Sequence, residues 1–354
     1  MPKLSRFGVI AKQTLIISAI TFALTEVTFR IYGAINPTFI FYDNSYSRYR
    51  GRPNSPDYDS VLNSRGFKGK EFSATKPANN YRILAIGDSF TFGVVPSQYN
   101  YTARIERQLN RRLANTGRNY EVINMGIPGI GPKEYLAILN NEGLSFQPDM
   151  VVVFFFVGND LLEAYQATGR RPWYSYSHVL SFVNYALTVS QKYEGQIYHS
   201  ATMKYDDKAP TLPEDKFLEI QLSRLPNFIR EDREFLESFR PQMEYIDQIK
   251  RICDSRNIKL LVVIQPDELQ VNQAQRSQLI KLNQLSEGQV DINQPNRLLS
   301  EHFTKQGIDY VDLLEPFRKS NENLYKPRDT HFNIAGNRVA AQVVTPRVIE
   351  LINK

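Results

Sequence analysis

Apolar residues are bunched, not spread evenly, from Tyr81 to the C-terminus. Runs at Arg82–Ile86, Tyr120–Asn124, Met150–Val157, Lys259–Ile264 and Tyr310–Leu313 are short, are bounded by turn-forming or polar residues and read as buried strands. The third run, Val151-Val152-Val153-Phe154-Phe155-Phe156-Val157 after Met150, lacks alternation, as a central strand covered on both faces should. Between the runs lie stretches of helical character at Tyr101–Ala114, Lys133–Asn141, Phe228–Arg256 and Pro295–Gln306. A last helix is predicted from Gly336, and Pro346 should end or kink it. Strands alternating with helices predict an α/β fold, a parallel sheet with helices on both faces.

Two stretches break this rhythm. Between Asp160 and Asn257 lie roughly a hundred residues, far more than a crossover requires. This stretch opens with the aromatic-rich Trp173–Tyr185 and continues through the polar Tyr193–Asp215. It reads as a partly helical insertion after the third strand, about 161–257, that covers or extends the functional site. Trp173, Tyr174 and Tyr176 suit a substrate cleft or ordinary packing equally well. The second stretch, Asp267–Asn296, accommodates a helix at Gln273–Leu285 and a loop, or a low-complexity linker.

The N-terminus has its own pattern. Gln13–Thr25 is uncharged and mostly apolar, and it follows Lys3, Arg6 and Lys12. A spanning helix needs about 20 residues, which 13–34 supplies by tolerating Glu26 and Arg30, spaced to pair as i,i+4 neighbours. The flanking cations favour a cytoplasmic N-terminus. The expectation is a signal-anchor helix, with everything after residue 35 on the extracytoplasmic (periplasmic or extracellular) side. A cleaved signal peptide fits less well, because the small-x-small exit is poor; a buried or amphipathic helix is the third reading. Residues 36–80, rich in Pro, Asn, Ser, Tyr and Arg, read as a stalk or wrapping segment ordered by packing its tyrosines on a domain at 81–354.

Composition changes this picture little. The 354 residues are 42% hydrophobic and 23% charged, enough to bury a sizeable core. The net charge of +6 is scattered, with no run of five like charges, so no nucleic-acid partner is expected. The single cysteine, Cys253, falls in a predicted helix (Glu244–Arg256) and reads as core. No Cys/His spacing suggests a metal, and Gly126–Gly131 lacks the Lys-Ser/Thr of a phosphate loop. Neither metal nor cofactor is expected.

Chemistry collects where predicted strands end. The first ends in Gly87-Asp88-Ser89, the second in Asn124-Met125-Gly126 with Pro128, Gly129 and Gly131 beyond, and the third in Gly158-Asn159-Asp160. Near the C-terminus stands Asp329-Thr330-His331-Phe332-Asn333. In open α/β sheets, ligands sit at the carboxyl ends of the strands. Acyl transfer by a serine needs a base, a group to orient that base, and donors for the developing oxyanion. Ser89, His331 and Asp329 suit the first three roles. The amides of Ser89 and Gly126 and the side chain of Asn159 suit the last. Taken alone, Gly87-Asp88-Ser89 reads more readily as a capped strand-to-helix turn, and it is the groups at the other strand ends that favour a nucleophile. Asp88 is read as structural, and Asp160 likewise. His178 and His199 lie in the insertion without acidic neighbours at useful spacing, His302 lies on a helix face in Glu301–Gln306, and all three read as surface or core.

From Tyr81 to about Ile349 the chain resembles the SGNH, or GDSL-type, serine hydrolases, including membrane-tethered bacterial members. Its four blocks, Gly87–Gly93, Gly126, Gly158–Asp160 and Asp329–His331, occur in that family's order. The resemblance implies a flavodoxin-like three-layer sandwich with a five-stranded parallel sheet of order 2-1-3-4-5. It also implies Ser89 as nucleophile, His331 as base, Asp329 as its partner, and Ser89, Gly126 and Asn159 as the oxyanion hole. One departure stands out: a single residue separates Asp329 from His331, where the commoner pattern has two, and Arg328 takes the usual acid position. Asp329 is therefore also open to reading as a loop cap, with a backbone carbonyl orienting His331. The expected activity is hydrolysis of an ester on a small molecule, glycan or lipid through an acyl-enzyme. The alternatives are O-acyl transfer to a cell-surface polysaccharide and a non-catalytic carbohydrate-binding module.

Overall fold

The computed structural model describes residues 6–35, 53–54, 56–57, 60–161, 173–192, 204–230 and 232–354. The main sheet comprises β1 (Asn80–Gly87), β2 (Asn119–Gly126), β3 (Met150–Phe156), β4 (Lys259–Gln265) and β5 (Asp309–Asp312). All pairings are parallel, and the order is β2-β1-β3-β4-β5. This is the predicted 2-1-3-4-5 topology. Gly87 at the end of β1 is in register with Gly126 on one side and Phe154 on the other, so the functional ends of three strands lie side by side.

The helices are α1 (Arg6–Ile35), α2 (Ser89–Phe92), α3 (Tyr101–Arg112), α4 (Pro132–Asn141), α5 (His178–Lys192), α6 (Glu214–Arg224), α7 (Arg233–Ser255), α8 (Glu268–Val271), α9 (Gln273–Leu282), α10 (Gln294–Gln306), α11 (Leu314–Arg318) and α12 (Ile334–Ile352). Side chains leave opposite faces of a strand in alternation, and β1 and β3 bury both sets. Leu84, Ile86, Val151, Val153 and Phe155 join a core that includes Tyr135 and Ile138 of α4, Ile246 and Cys253 of α7, and Phe303 of α10. Ile83, Ala85, Val152 and Phe154 pack with Ile105 of α3 and Val344 of α12. Cys253 is core as expected, and burial pushes its thiol up to about 12.

Two helical predictions need correction. The helix forecast at Phe228–Arg256 begins only at Arg233, where Asp232 caps it by accepting the Phe235 amide; Leu225–Phe228 forms a separate 3-10 turn. The last helix does not end at Pro346 but continues to Ile352. Its buried stripe of Ala340, Ala341, Val344, Val348 and Leu351 is continuous across the proline. Burying such a stripe offsets the roughly 3 kcal/mol disfavouring an internal proline.

Residues 60–79 lie against the sheet. Phe67 is buried, and the buried Lys68 ammonium pairs with Asp57 at 2.9 Å and donates to the Gly93 carbonyl at 2.8 Å. Arg82, fully buried in β1, pairs with Glu121 of β2 at 2.7 Å and donates to the carbonyls of Ser73, Ala74 and Phe146. A buried guanidinium is tolerable only when paired and hydrogen-bonded in this way. The tyrosines expected to order the segment, Tyr42 to Tyr58, fall outside the described residues, as does His199.

Candidate active site

The Gly87-Asp88-Ser89 turn is shaped by close packing. Asp88 is the N-cap of α2 and accepts the Phe90 amide at 2.8 Å, leaving Ser89 half-buried at the first helical position. A side chain at Gly87 would put its Cβ 2.0 Å from Thr91 Oγ1, and one at Gly126 would lie 2.2 Å from Phe92 N. These two glycines let β1 and β2 run directly beneath α2. Two side-chain amides then hold the helix from its far end with three hydrogen bonds. Asn124 Nδ2 reaches Thr91 O at 2.8 Å, and Asn100 Nδ2 reaches Thr91 O and Phe92 O, each at 3.1 Å.

His331 arrives from the turn between β5 and α12. Tyr325 and Phe332 form an antiparallel bridge, and Lys326 N donates to His331 O at 2.9 Å, so Asp329 and His331 sit at the tip of a tight loop. Arg328 and Thr330, flanking Asp329, have φ of 46° and 76°. A β-branched residue in the left-handed region is strained, and such strain recurs at functional sites. The outcome is a continuous hydrogen-bond chain. Ser89 Oγ lies 2.8 Å from His331 Nε2, and His331 Nδ1 lies 2.7 Å from Asp329 Oδ1. The Asp329 carbonyl is farther from Nδ1, at 3.2 Å, so both groups weighed as orienters touch the ring and the carboxylate is nearer. The imidazole also rests near Phe90, with ring centroids 4.7 Å apart.

Electrostatics at the site are dominated by burial. Burial raises the Asp329 carboxyl, but hydrogen bonds from His331 and Thr211 and the charge of Lys326 outweigh it and hold the group below the ordinary carboxylate range. Asp88 goes the other way: burial lifts it above that range against the Phe90 amide, His331, the Asn159 side chain and Arg224. The Asn159 side chain thus reaches Asp88, the residue before Ser89. Asp160 lies behind, accepting Tyr135 OH at 2.9 Å and the Phe156 amide at 3.0 Å. The Gly126 amide donates to Asn124 Oδ1 at 2.9 Å. In the loop beyond, Gly129 is exposed with φ 70°, and its N–H has no acceptor among the described residues.

The site has a wall that the sequence did not disclose. Thr211 Oγ1 donates to Asp329 Oδ2, the Thr211 and Leu212 amides donate to Pro327 O and Arg328 O at 3.2 and 2.9 Å, and Lys326 Nζ donates to Ala209 O. Arg224, at the end of α6, reaches Asp267 Oδ2 at 3.2 Å and Thr330 Oγ1 at 3.4 Å. Asn227 donates to Val157 O and Gly158 O at 2.8 and 3.0 Å, bracing the turn that carries Asn159. The 204–230 part of the long connection therefore backs the histidine loop, while α7 takes the crossover position against α4. These contacts span about 40 to 120 positions of sequence, and no local pattern marks them. His302 pairs with Asp247 at 2.8 Å between α10 and α7.

A family model described as the GDSL-like lipase/acylhydrolase family matches residues 85–339. The chain belongs to that family. It is an ester-hydrolysing enzyme of the SGNH type, with the α/β sheet order that its sequence implied. No curated protein matches the chain. Among solved structures, it is similar to an acetyl xylan esterase (15% identity, 75% of this chain and 99% of that chain, TM-score 0.43). It is also similar to a lipase/acylhydrolase from Enterococcus faecalis (14% identity, 75% and 94%, TM-score 0.41). A third is a two-domain esterase active on acetylated mannans (13% identity, 78% and 50%, TM-score 0.41).

Proposed function

We propose that this enzyme is a membrane-anchored serine esterase that works through an acyl-enzyme on Ser89. The observation that carries the reading is the chain from Ser89 Oγ to His331 at 2.8 Å and from His331 to Asp329 at 2.7 Å. Ser89 Oγ attacks the ester carbonyl as His331 Nε2 takes its proton. Asp329, ionised through the mildly acidic range, stabilises the imidazolium. The tetrahedral intermediate collapses, the C–O bond breaks, and the alkoxide leaves as an alcohol with the proton from His331. Water deprotonated by the same imidazole then attacks the acyl-serine, releasing the acid and restoring Ser89.

The oxyanion donors are assigned to the Ser89 N–H, at the positive end of α2, and the Asn159 side chain. Gly126 was expected among them, but its amide is already committed to Asn124. Its role is therefore to make room for α2, and the free N–H of Gly129 is the donor that this loop offers in its place. The substrate class is an acyl ester of a glycan or lipid.

The N-terminal part of the proposal rests on α1. Its Arg6–Tyr32 portion, 27 residues and about 40 Å long, is apolar and exposed, ample for a hydrocarbon core of about 30 Å. Lys3, Arg6 and Lys12 orient it with the hydrolase domain, 81–354, outside the cytoplasm, and the described residues 60–79 wrap that domain.

In the full-length protein, Ser89→Ala should abolish hydrolysis of a short-chain aryl ester and covalent labelling by a fluorophosphonate. Labelling that survives would show that another residue is the nucleophile. Removal of residues 1–35 should turn a membrane-pelleting protein into a soluble one; unchanged pelleting would refute the anchor.

A further inference from the structure

Glu26 and Arg30 interrupt the apolar face of α1, yet neither is simply solvated. They form an i,i+4 ion pair at 2.7 Å, and the Glu26 carboxylate also accepts Ser177 Oγ at 2.7 Å and the amides of His178 and Val179 at 3.1 and 3.0 Å. Arg30 Nη2 donates to Tyr176 O at 2.9 Å. Two residues of α1 thus cap the first turn of α5, some 150 positions later in the chain, where α5 has orphan amides to satisfy. Phe29 and Phe182 extend the contact, with ring centroids 5.2 Å apart. Thr25, Glu26 and Phe29 are half-buried beneath α5, whereas Gln13–Leu24 are exposed throughout.

Depth makes this clasp meaningful. A hydrocarbon core of about 30 Å takes about 20 helical residues, so a span entered near Lys12 is left near Tyr32. Glu26 then lies about 9 Å inside the boundary at 1.5 Å per residue. A lone carboxylate there is costly, and four donors from α5 and Arg30 remove that objection. The partner segment is itself apolar on its outside. Phe182, Val183 and Leu187, 40 to 65% exposed, fall within one arc of about 140° on α5. Trp173 and Tyr176, 75% and 62% exposed, stand just before it, the residue types enriched where hydrocarbon meets headgroups.

We propose that α5 and its Trp173–Tyr176 lead-in are a second lipid-contacting element, clasped by Glu26 and Arg30 into the interfacial layer at the C-terminal end of the α1 span. The occupant of this apolar face is the bilayer. At 15 residues, α5 is too short to cross a membrane and lies in the interface. The inference rests on the reading of α1 as a spanning helix.

The chain contains one tryptophan, Trp173, so fluorescence excited at the red edge, beyond the absorption of its 20 tyrosines, reports this segment alone. Full-length protein is reconstituted in phosphatidylcholine vesicles whose acyl chains are brominated near the headgroup or near the chain end. Trp173 should lose most of its emission to the shallow bromines, less to the deep ones, and resist aqueous iodide. Glu26→Ala should leave the protein floating with the vesicles and Ser89 open to fluorophosphonate, while quenching passes from bromine to iodide. Glu26→Gln should fall between. Quenching by iodide alone in the parent overturns the inference, as does shielding from both quenchers, which would mean that protein covers the face. Bromine quenching unchanged in Glu26→Ala overturns the clasp. Protein that fails to float refutes the anchor itself, a distinct failure that takes this inference with it.

Discussion

Thr211 and Asp329 are 118 positions apart, yet the threonine hydroxyl donates to one carboxylate oxygen while His331 occupies the other. The carboxylate of the Ser89–His331–Asp329 chain is thereby held on both oxygens, and one of the two holders comes from the long connection between β3 and β4. Asp329 lies on a strained tip with a shorter spacing to histidine than is common. An external brace explains how that spacing still yields a 2.7 Å contact.

Removing the brace should show in the pH profile. Thr211→Val is expected to lower kcat/KM about tenfold, the order of one hydrogen bond to a charged group. It should also move the acidic limb upward, because Asp329 loses a bond that favours its ionised form. Thr211→Ser should restore both, as measured by kcat/KM from pH 4 to 8. A Val variant with an unshifted profile would make Thr211 a packing residue only.

Asn159→Ala is expected to reduce kcat by about 10²–10³ with little change in KM, the usual loss of one oxyanion donor. Steady-state kinetics on an aryl ester measure it. Because the Asn159 amide also reaches buried Asp88, thermal unfolding of the variant should be compared with that of the parent.

Gly126→Ala should be destabilising by about 3 kcal/mol, because its Cβ would meet the Phe92 amide at 2.2 Å and backbone cannot yield as a side chain does. Denaturant unfolding tests this. A stable variant with normal activity would contradict the packing of α2 on β2.

Burial lifts the Glu268 carboxyl from 4.5 to about 7, aided by neighbouring Asp267. The folded state then binds more protons than the unfolded one between these values, so this group's contribution falls as pH rises through that window. The change is on the order of 3 kcal/mol at most. Glu268→Gln should therefore gain stability relative to the parent at pH 8 but not at pH 4, by denaturant midpoints. An equal effect at both would show that folding does not raise the Glu268 carboxyl.

The strand ends and the Ser89–His331 pairing were legible in the residues themselves, and the sheet order through the family resemblance that those residues carry. A buried parallel strand must be a continuous apolar run, and its C-terminal end must carry the small and polar groups that a site needs. Gly87-Asp88-Ser89, Gly158-Asn159 and Asp329-Thr330-His331 are local patterns of this kind. The apolar N-terminal stretch was legible in the same way, and it forms one continuous helix, Arg6–Ile35. Only the tertiary structure decided which partner each polar group takes. Asn124 claims the Gly126 amide, Thr211 and Arg224 brace the histidine loop, and Glu26 caps α5. Hydrogen bonds reach about 3 Å and depend on direction, so they join residues that the fold brings together, whatever their separation in sequence.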